Sequence, residues 1–256
     1  MFGRENRSEK PGSAPCKVRY SEVQEIAKQA MEKIRQIIIP GMSLLEVRRI
    51  CEAEMLRLGA DSFWYWDIGA LCFAGDETAI SVSGRRYRTS DRIILSDDIV
   101  TIDLSPQRKK IWGDYARTIV VENGRVVTRI EEIVNKEWQA GLLMEEKLHL
   151  ELKRFATPTT TFAVLYEHIN HYIIQNGFVN LDFKGNLGHS IAKSKRSRIY
   201  IESGNHTRLS EVPFFTFEPH ISTKKSKFGY KKEDIYYFQD GVLNKLCFLK
   251  FSFTTV

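Results

Sequence analysis

Apolar residues recur at Val23, Ile26, Ala27, Ala30, Met31, Ile34 and Ile38, the spacing that turns one face of a helix toward a core. Ser21 and Gln24 precede this run in the form of a capping box, so a helix is expected to open at Ser21 and to close at Pro40-Gly41. A second helix is expected from Ser43, with Glu46 completing another capping box and Gly59 in the left-handed position beyond the last turn. From about Ala79 to Val121 the apolar period shortens to that of strands, most clearly in IVTIDL and TIVV.

The segment 37–59 aligns with 155–177 without a gap: Pro40 falls on Pro158, Ser43 on Thr161, Leu44 on Phe162 and Gly59 on Gly177. Helix-compatible sequence precedes each block and strand-rich sequence follows it. A duplicated unit, with helices covering a sheet and the halves meeting around a central site, accounts for this register; chance likeness between two amphipathic helices is the alternative. Duplication predicts functional groups from both halves.

With 256 residues, 43% hydrophobic and 27% charged, the chain has ample length for a core, and wholesale disorder is excluded. No apolar run approaches the roughly 18–20 residues of a membrane span. Residues 1–19 carry charges with no apolar stretch behind them, which reads as a disordered leader rather than a secretory signal and points to the cytoplasm. The formal net charge is +6, but the basic clusters Arg108-Lys109-Lys110, Lys193 to Arg198 and Lys224-Lys225 are interspersed with acidic residues and accompany no nucleic-acid motif. They read as solvated surface. Cys16, Cys51, Cys72 and Cys247 have neither CxxC spacing nor a disulfide pattern, so reduced thiols are expected.

Polar groups inside strand patterns carry the candidate chemistry. In VTIDL, Val100, Ile102 and Leu104 face one way while Thr101 and Asp103 face the other. Asp114 heads the next strand run, and a hairpin would set it beside Asp103, where two carboxylates repel unless a proton or cation lies between them. Farther along come His189 in NLGHSI, Glu218 in FFTFEPHI, with Phe215 and Phe217 turned away from it, and Glu233 in KKEDIYYF. Four carboxylates and one imidazole suit divalent Mn, Fe, Co or Zn. Two such ions about 3.5–4 Å apart can activate a water and clamp both oxygens of an attacked carbonyl.

The stretches PGMS, DDIVTIDL, GDYARTIVV, LGHSI, FTFEPHI and KKEDIYYF, in this order, resemble the successive signatures of the pita-bread metallopeptidase superfamily, which contains methionine aminopeptidases, Xaa-Pro aminopeptidases, prolidases and creatinase. The resemblance runs from about residue 20 to 245. It implies an α/β (α+β) chain with a duplicated pita-bread fold, a curved antiparallel sheet backed by helices. Residues 20–256 would form one domain with pseudo-repeats at about 20–124 and 125–256, after the leader 1–19 and without the creatinase-type N-terminal domain. By motif position it implies two divalent metal ions held by Asp103, Asp114, His189, Glu218 and Glu233, with Glu218 also the proton carrier.

Two positions depart from that pattern. Arg86 and Arg196 stand where the superfamily usually has histidines that hold the substrate's peptide group, and His206 is a candidate substitute. An arginine donates hydrogen bonds and stabilises an oxyanion but cannot act as a neutral base near pH 7. The cluster Phe63-Trp64-Tyr65-Trp66-Asp67 falls where the superfamily places a pocket wall, making Trp64, Tyr65 and Trp66 candidate substrate contacts and Asp67 a candidate for capturing a cationic group.

The function expected is a dinuclear metal hydrolase acting on a small peptide or amide, with Glu218 moving the proton and Arg86 or His206 steadying the developing charge. The alternatives are a diverged enzyme using the same metals on a non-peptide substrate, by C–N hydrolysis or a tailoring step on a specialised metabolite, and a metal-free binding module. The expected partner is a short peptide or small molecule, with a homodimer left open and neither membrane nor nucleic acid involved.

Overall fold

Two helices of equal length frame the molecule. Helix α2 (Leu44–Arg57) follows an N-cap at Ser43, and helix α4 (Phe162–Gln175) follows an N-cap at Thr161. Their first residues, Leu44 and Phe162, are both fully buried. Each helix ends before a glycine of positive φ, Gly59 at +103° and Gly177 at +82°, where a side chain would be strained. Ser43 accepts from the Glu46 N–H while Glu46 accepts from the Ser43 N–H, the reciprocal cap expected there. The two aligned segments, 37–59 and 155–177, thus each hold a 14-residue helix between a polar cap and a glycine of positive φ.

The computed structural model describes residues 14–192 and 195–246. Among these residues the two other α-helices are α1 (Ala14–Ile37), packed against α2, and α3 (Lys136–Phe155), packed against α4. Helix α1 corrects an expectation: it begins at Ala14, so Ser21 is mid-helix and buried, and residues 14–19 are helical rather than part of a leader. Residues 1–13 and Cys247 lie outside the described residues. Gln24 does not cap a helix either; its amide is used elsewhere.

In the first half, strands Ala70–Ala74, Asp98–Leu104, Tyr115–Glu122 and Arg125–Val127 form one antiparallel sheet in that spatial order. Val100, Ile102 and Leu104 pack beneath it against α1 and α2, together with Ile34, Leu44 and Val47. The second half has two three-stranded antiparallel sheets. One joins Phe215–Phe217, Asp234–Gln239 and Val242–Lys245; the other joins Phe178–Asn180, His220–Thr223 and Tyr230–Lys231. Their core gathers Leu148, Leu152, Phe162, Leu165, Phe215 and Phe217 around α3 and α4.

The halves meet along Tyr115–Glu122. The Glu233 N–H donates to the Ala116 carbonyl at 3.0 Å, and the Lys231 N–H to Thr118 Oγ1 at 2.9 Å. Arg117 fastens the seam: Nη1 donates to the Ala116 and Glu233 carbonyls at 2.7 and 2.6 Å, and Nη2 to both Asp234 oxygens at 2.9 and 3.0 Å. A guanidinium can serve these four oxygens at once because its donors are fixed in one plane.

Candidate metal centre

Strand alternation decides where the first carboxylate goes. With Val100, Ile102 and Leu104 committed to the core, Asp103 must face the opposite side, between Leu71 on one neighbouring strand and Ala116 on the other. Asp114 stands just ahead of the strand Tyr115–Glu122. Its backbone is clamped by Gln24 of α1, which donates from Nε2 to the Asp114 carbonyl at 2.7 Å and accepts from its N–H at 2.9 Å.

The second half supplies the rest. Gly188 lies so close to the neighbouring strand that a Cβ would sit 2.3 Å from the Thr216 carbonyl oxygen, and its φ is +138°; only glycine lets the chain pass there. His189 follows, its N–H donating to Thr216 Oγ1 at 3.0 Å, and its carbonyl accepting from the Thr216 N–H at 2.7 Å. Thr216 Oγ1 lies 3.4 Å from Glu218 Oε1. Phe215 and Phe217 are fully buried on the far side, which leaves Glu218 on the site's side. Glu233 is placed by its N–H on Ala116 and is itself fully buried.

These side chains converge. Asp103, Glu218 and Glu233 each offer an oxygen within 4.8 Å of the others. His189 Nε2 is 3.5 Å from Asp114 Oδ2 and 3.6 Å from Glu218 Oε1. A residue not singled out from the sequence stands among them: Lys231 Nζ is 2.6 Å from Asp103 Oδ2, 2.9 Å from Glu218 Oε2 and 4.0 Å from Glu233 Oε2.

Electrostatics divide the set. Burial, reinforced by neighbouring carboxylates, pushes the Asp114 and Glu233 carboxyls well above the usual range. Burial also raises Asp103, although Lys231 opposes it. Burial would raise Glu218 too, but Lys231 and His189 outweigh it and hold it below its ordinary value. Burial pulls His189 down to about 4. Lys231 is raised well above a normal lysine, because Asp103, Glu218 and Glu233 overcome the cost of burying its charge.

The donors fit divalent cations. Neither Glu233 oxygen has a hydrogen-bond partner among the described residues, although both are buried; an unpaired buried carboxylate is costly. His189 Nδ1 is 3.2 Å from the Ser190 carbonyl, which can only accept. In the neutral ring, Nε2 then turns its lone pair toward two carboxylates, an arrangement that a cation between them makes favourable. Lys231 offers one positive charge against four acidic side chains, which leaves the cluster short of cation. Oxygen and imidazole donors suit Mn, Fe, Co or Zn.

Above the cluster opens a cavity of about 850 Å³, walled by Trp64, Tyr65 and Trp66 and lined also by Arg86 and Arg196. Trp64 is buried, donates from Nε1 to the Gly113 carbonyl at 2.8 Å and stands edge-on to His189 at 5.8 Å. Two expected site residues are not there. Asp67 is exposed in a left-handed turn (φ 58°) outside the lining. His206 is also exposed and outside it, because Asn205 and Thr207 give their carbonyls to the N–H groups of Ala163 and Phe162 at the start of α4.

Three residues of the site stand outside the expected set: Lys231 and Arg198, which line the cavity, and Gln24, which clamps Asp114. Lys231 had a signal, sharing strand parity with Glu233 two residues on. Gln24 and Arg198 had none, since their partners are distant in the chain. The thiols of Cys16, Cys51 and Cys72 are free, and burial pushes Cys51 up to about 12. Among the described residues no helix is long and apolar enough to cross a membrane.

Comparison with known proteins bears on the family and the fold. The model of metallopeptidase family M24 matches residues 19–240. The X-Pro aminopeptidase from Thermotoga maritima is similar in structure, with a TM-score of 0.72 and 20% identity over 93% of this chain and 62% of that one. The prolidase from Pyrococcus furiosus gives 0.69 and 22% identity, over 89% of this chain and 62% of that chain. The methionine aminopeptidase from Thermotoga maritima gives 0.71 and 12% identity, over 92% and 98%. The chain thus spans about three-fifths of the first two and nearly the whole of the third. No curated protein matches by sequence. The architecture is the duplicated pita-bread fold that the motifs implied.

Proposed function

The chain belongs to metallopeptidase family M24, and from that premise we propose that it is a divalent-metal-dependent hydrolase of the aminopeptidase or Xaa-Pro aminopeptidase type, acting on a short peptide or small amide in the cytoplasm. The observation that carries the proposal is the clustering of four carboxylates and one histidine, with both Glu233 oxygens buried and without a hydrogen-bond partner among the described residues. Asp103, Asp114, His189, Glu218 and Glu233 would hold two ions. When bound, such ions polarise a carbonyl and acidify a water for attack.

The chain's own groups do the rest. Glu218 lines the cavity beside His189 and carries the proton from the attacking water to the leaving nitrogen. Arg86, on the cavity wall, holds the substrate's carbonyl oxygen by donating hydrogen bonds. Trp64, Tyr65 and Trp66 shape the wall and limit water around the reacting amide. Lys231 supplies a fixed positive charge that offsets part of the repulsion among Asp103, Glu218 and Glu233.

Arg86 and Arg196, in positions where related peptidases carry histidine, favour a second reading in which the same ions serve a non-peptide C–N bond. The test is the metal content of protein purified without chelator, followed by a panel of dipeptides and tripeptides. Bound metal with cleavage supports the proposal, and bound metal without cleavage shifts the case to the second reading. Absence of metal overturns both and leaves a binding module. Arg86→Ala should lower turnover about 10²–10³-fold with metal content unchanged; full activity would remove Arg86 from the site.

A further inference from the structure

We infer that Asp182 reads an ammonium group of the ligand, the α-amine of a short peptide or the amine of a lysine side chain, on the one carboxylate oxygen that its own loop leaves bare. As a statement about substrate this rests on the hydrolase reading above; as a statement about binding it does not.

Among the described residues that line the cavity, four are acidic: Asp103, Asp114, Asp182 and Glu218. Three belong to the central cluster, where Lys231 pairs with Asp103 and Glu218, and His189 faces Asp114. Asp182 stands apart, on the loop after the strand Phe178–Asn180. Its two oxygens are used differently. Oδ1 accepts from the Lys184 N–H at 2.9 Å, from the Asn186 N–H at 3.0 Å and from Asn186 Nδ2 at 3.1 Å. Oδ2 makes no hydrogen bond or ion pair among the described residues. Nor is the side chain sealed in the core, since Asp182 is half-buried on the cavity wall.

The loop holds that oxygen in place. The Asp182 N–H donates to Asn180 Oδ1 at 2.9 Å, the Phe183 N–H to Ser81 Oγ at 3.0 Å, and the Gly185 N–H to the Asp182 carbonyl at 2.8 Å. With three donors on Oδ1, the carboxylate plane is set and Oδ2 keeps one direction without a partner of its own. The same loop runs into the centre. Asn186 Oδ1 accepts from the Gly188 N–H at 3.2 Å, and the Leu187 carbonyl accepts from the Glu218 N–H at 2.9 Å. A ligand group on Oδ2 therefore belongs to a molecule whose amide lies within short reach of Glu218. Burial pushes the Asp182 carboxyl up, the Lys184 N–H opposes this, and the nearby Glu218 adds to it; an ammonium on Oδ2 would hold it ionised.

An ionised carboxylate can only accept, so its ligand must donate, and a charged donor makes the stronger bond. Asp67, the acid expected to capture a cation, lies outside the lining, and Asp182 fills that role from the second half of the chain. The mouth adds a condition. Arg85, Arg86 and Arg196 line the same cavity and are exposed, a positive field that disfavours a ligand of net positive charge. The ammonium therefore arrives on a molecule that also carries an anion, as a peptide with a free carboxyl end does.

Quenching of tryptophan fluorescence at the cavity wall, read on mixing and before turnover, gives a binding assay on the protein as purified. Three free acids share one carboxylate and differ in the amine. Ala-Ala-Ala carries it at the chain start, acetyl-Lys-Ala-Ala on a side chain, and acetyl-Ala-Ala-Ala nowhere. In about 0.15 M salt, where a Debye length of about 8 Å screens the exposed cations of the mouth, at least one amine-bearing probe should bind about ten-fold or more tighter than acetyl-Ala-Ala-Ala. The tighter of the two identifies the source. Asp182→Asn separates reading from loop structure, because an amide oxygen still accepts the three loop donors while an amide nitrogen replaces the bare oxygen. It should erase the preference and leave both metal content and the affinity for acetyl-Ala-Ala-Ala unchanged. Asp182→Glu should keep part of the preference. Asp182→Ser, which keeps an acceptor for the loop and loses the charge, repeats the test should the amide variant fail to fold. Equal binding of all three probes by the parent protein overturns the inference. So does a preference that survives in Asp182→Asn, since the amine would then be ligating metal. An equal loss for all three probes in that variant also overturns it and makes Asp182 a loop residue only. The hydrolase reading fails separately: preference without cleavage removes that reading and keeps this inference, whereas cleavage without preference does the reverse.

Discussion

Glu233 and Asp234 are consecutive, acidic and buried, at 0% and 1% exposure, yet their surroundings are opposite. Asp234 receives Arg117 Nη2 on both oxygens, with Lys245 Nζ at 3.7 Å and His149 Nδ1 at 3.9 Å. Burial would raise its carboxyl, but Arg117 and its neighbours hold it below the usual range. Glu233 has no hydrogen-bond partner among the described residues, and burial with Asp114 and Glu218 nearby raises it well above that range. One carboxylate is saturated by the protein and serves the seam between the halves. The other is left wanting a cation. Burial alone does not separate a structural acid from a ligand; the state of its lone pairs does.

Four changes would break or sharpen this contrast. Arg117→Met should act hardest, because it strips the main partner from Asp234 and two donors from the seam. Loss of one member of a buried pair costs about 3–5 kcal/mol, and a urea titration should show it. A loss below about 1 kcal/mol would mean that Lys245 and His149 suffice. Glu233→Gln should cut metal content and turnover by at least about 10²-fold, beyond what changes around a ligand usually cost. In chelator its melting temperature should hold or rise, since a buried carboxyl without a hydrogen-bond partner among the described residues has been removed. A fall in melting temperature would place Glu233 with Asp234 as a structural acid.

Gln24→Leu comes third. It leaves the Asp114 N–H and carbonyl buried without their partner, worth about 1–3 kcal/mol, and should weaken metal retention, as measured by competition with a chelator. Unchanged retention would show that Asp114 needs no clamp. The smallest effect is a pair of opposite pH trends. Glu233 has a raised carboxyl, so its share of stability is complete below the unfolded value near 4.3 and is lost as pH rises through the raised one. Asp234 has a depressed carboxyl, so its share is present above about 3.9 and is lost as pH falls through the depressed one. In chelator, the melting advantage of Glu233→Gln over the parent should grow from pH 4 to 8. The deficit of Asp234→Asn should shrink below pH 4. Parallel trends would erase the distinction between the two acids.

Much of this was legible from the chain alone. Strand parity put Asp103 opposite Val100, Ile102 and Leu104, and Glu218 opposite Phe215 and Phe217, because alternation on a half-buried strand leaves no other choice. The cap at Ser43–Glu46 and the glycines 59 and 177 were legible because capping chemistry is local. Ser21 and Gln24 have the same local form but lie inside a helix that starts at Ala14, and the Gln24 amide is spent on Asp114, ninety positions away. Arg198 sits in a basic run that reads as solvated surface until Trp64, Tyr65 and Tyr200 close around it. His206 and Asp67 were placed by position in the chain, which fixes neither the path of a loop nor a left-handed turn.

The division of the proposed ligands between the halves carries a consequence for folding. Asp103 lies on a strand of the first half and Asp114 just ahead of the next, and His189, Glu218 and Glu233 come from the second half, across the seam that Arg117 ties. An ion held by both sets acts as a tie-rod, present only when the halves are docked. By mass action it adds about 2.7 kcal/mol to docking when its free concentration is a hundred times its dissociation constant. The same ion that equips the cavity for chemistry would therefore set how long the two halves stay together, and metal starvation would be felt as shortened protein lifetime as well as lost turnover.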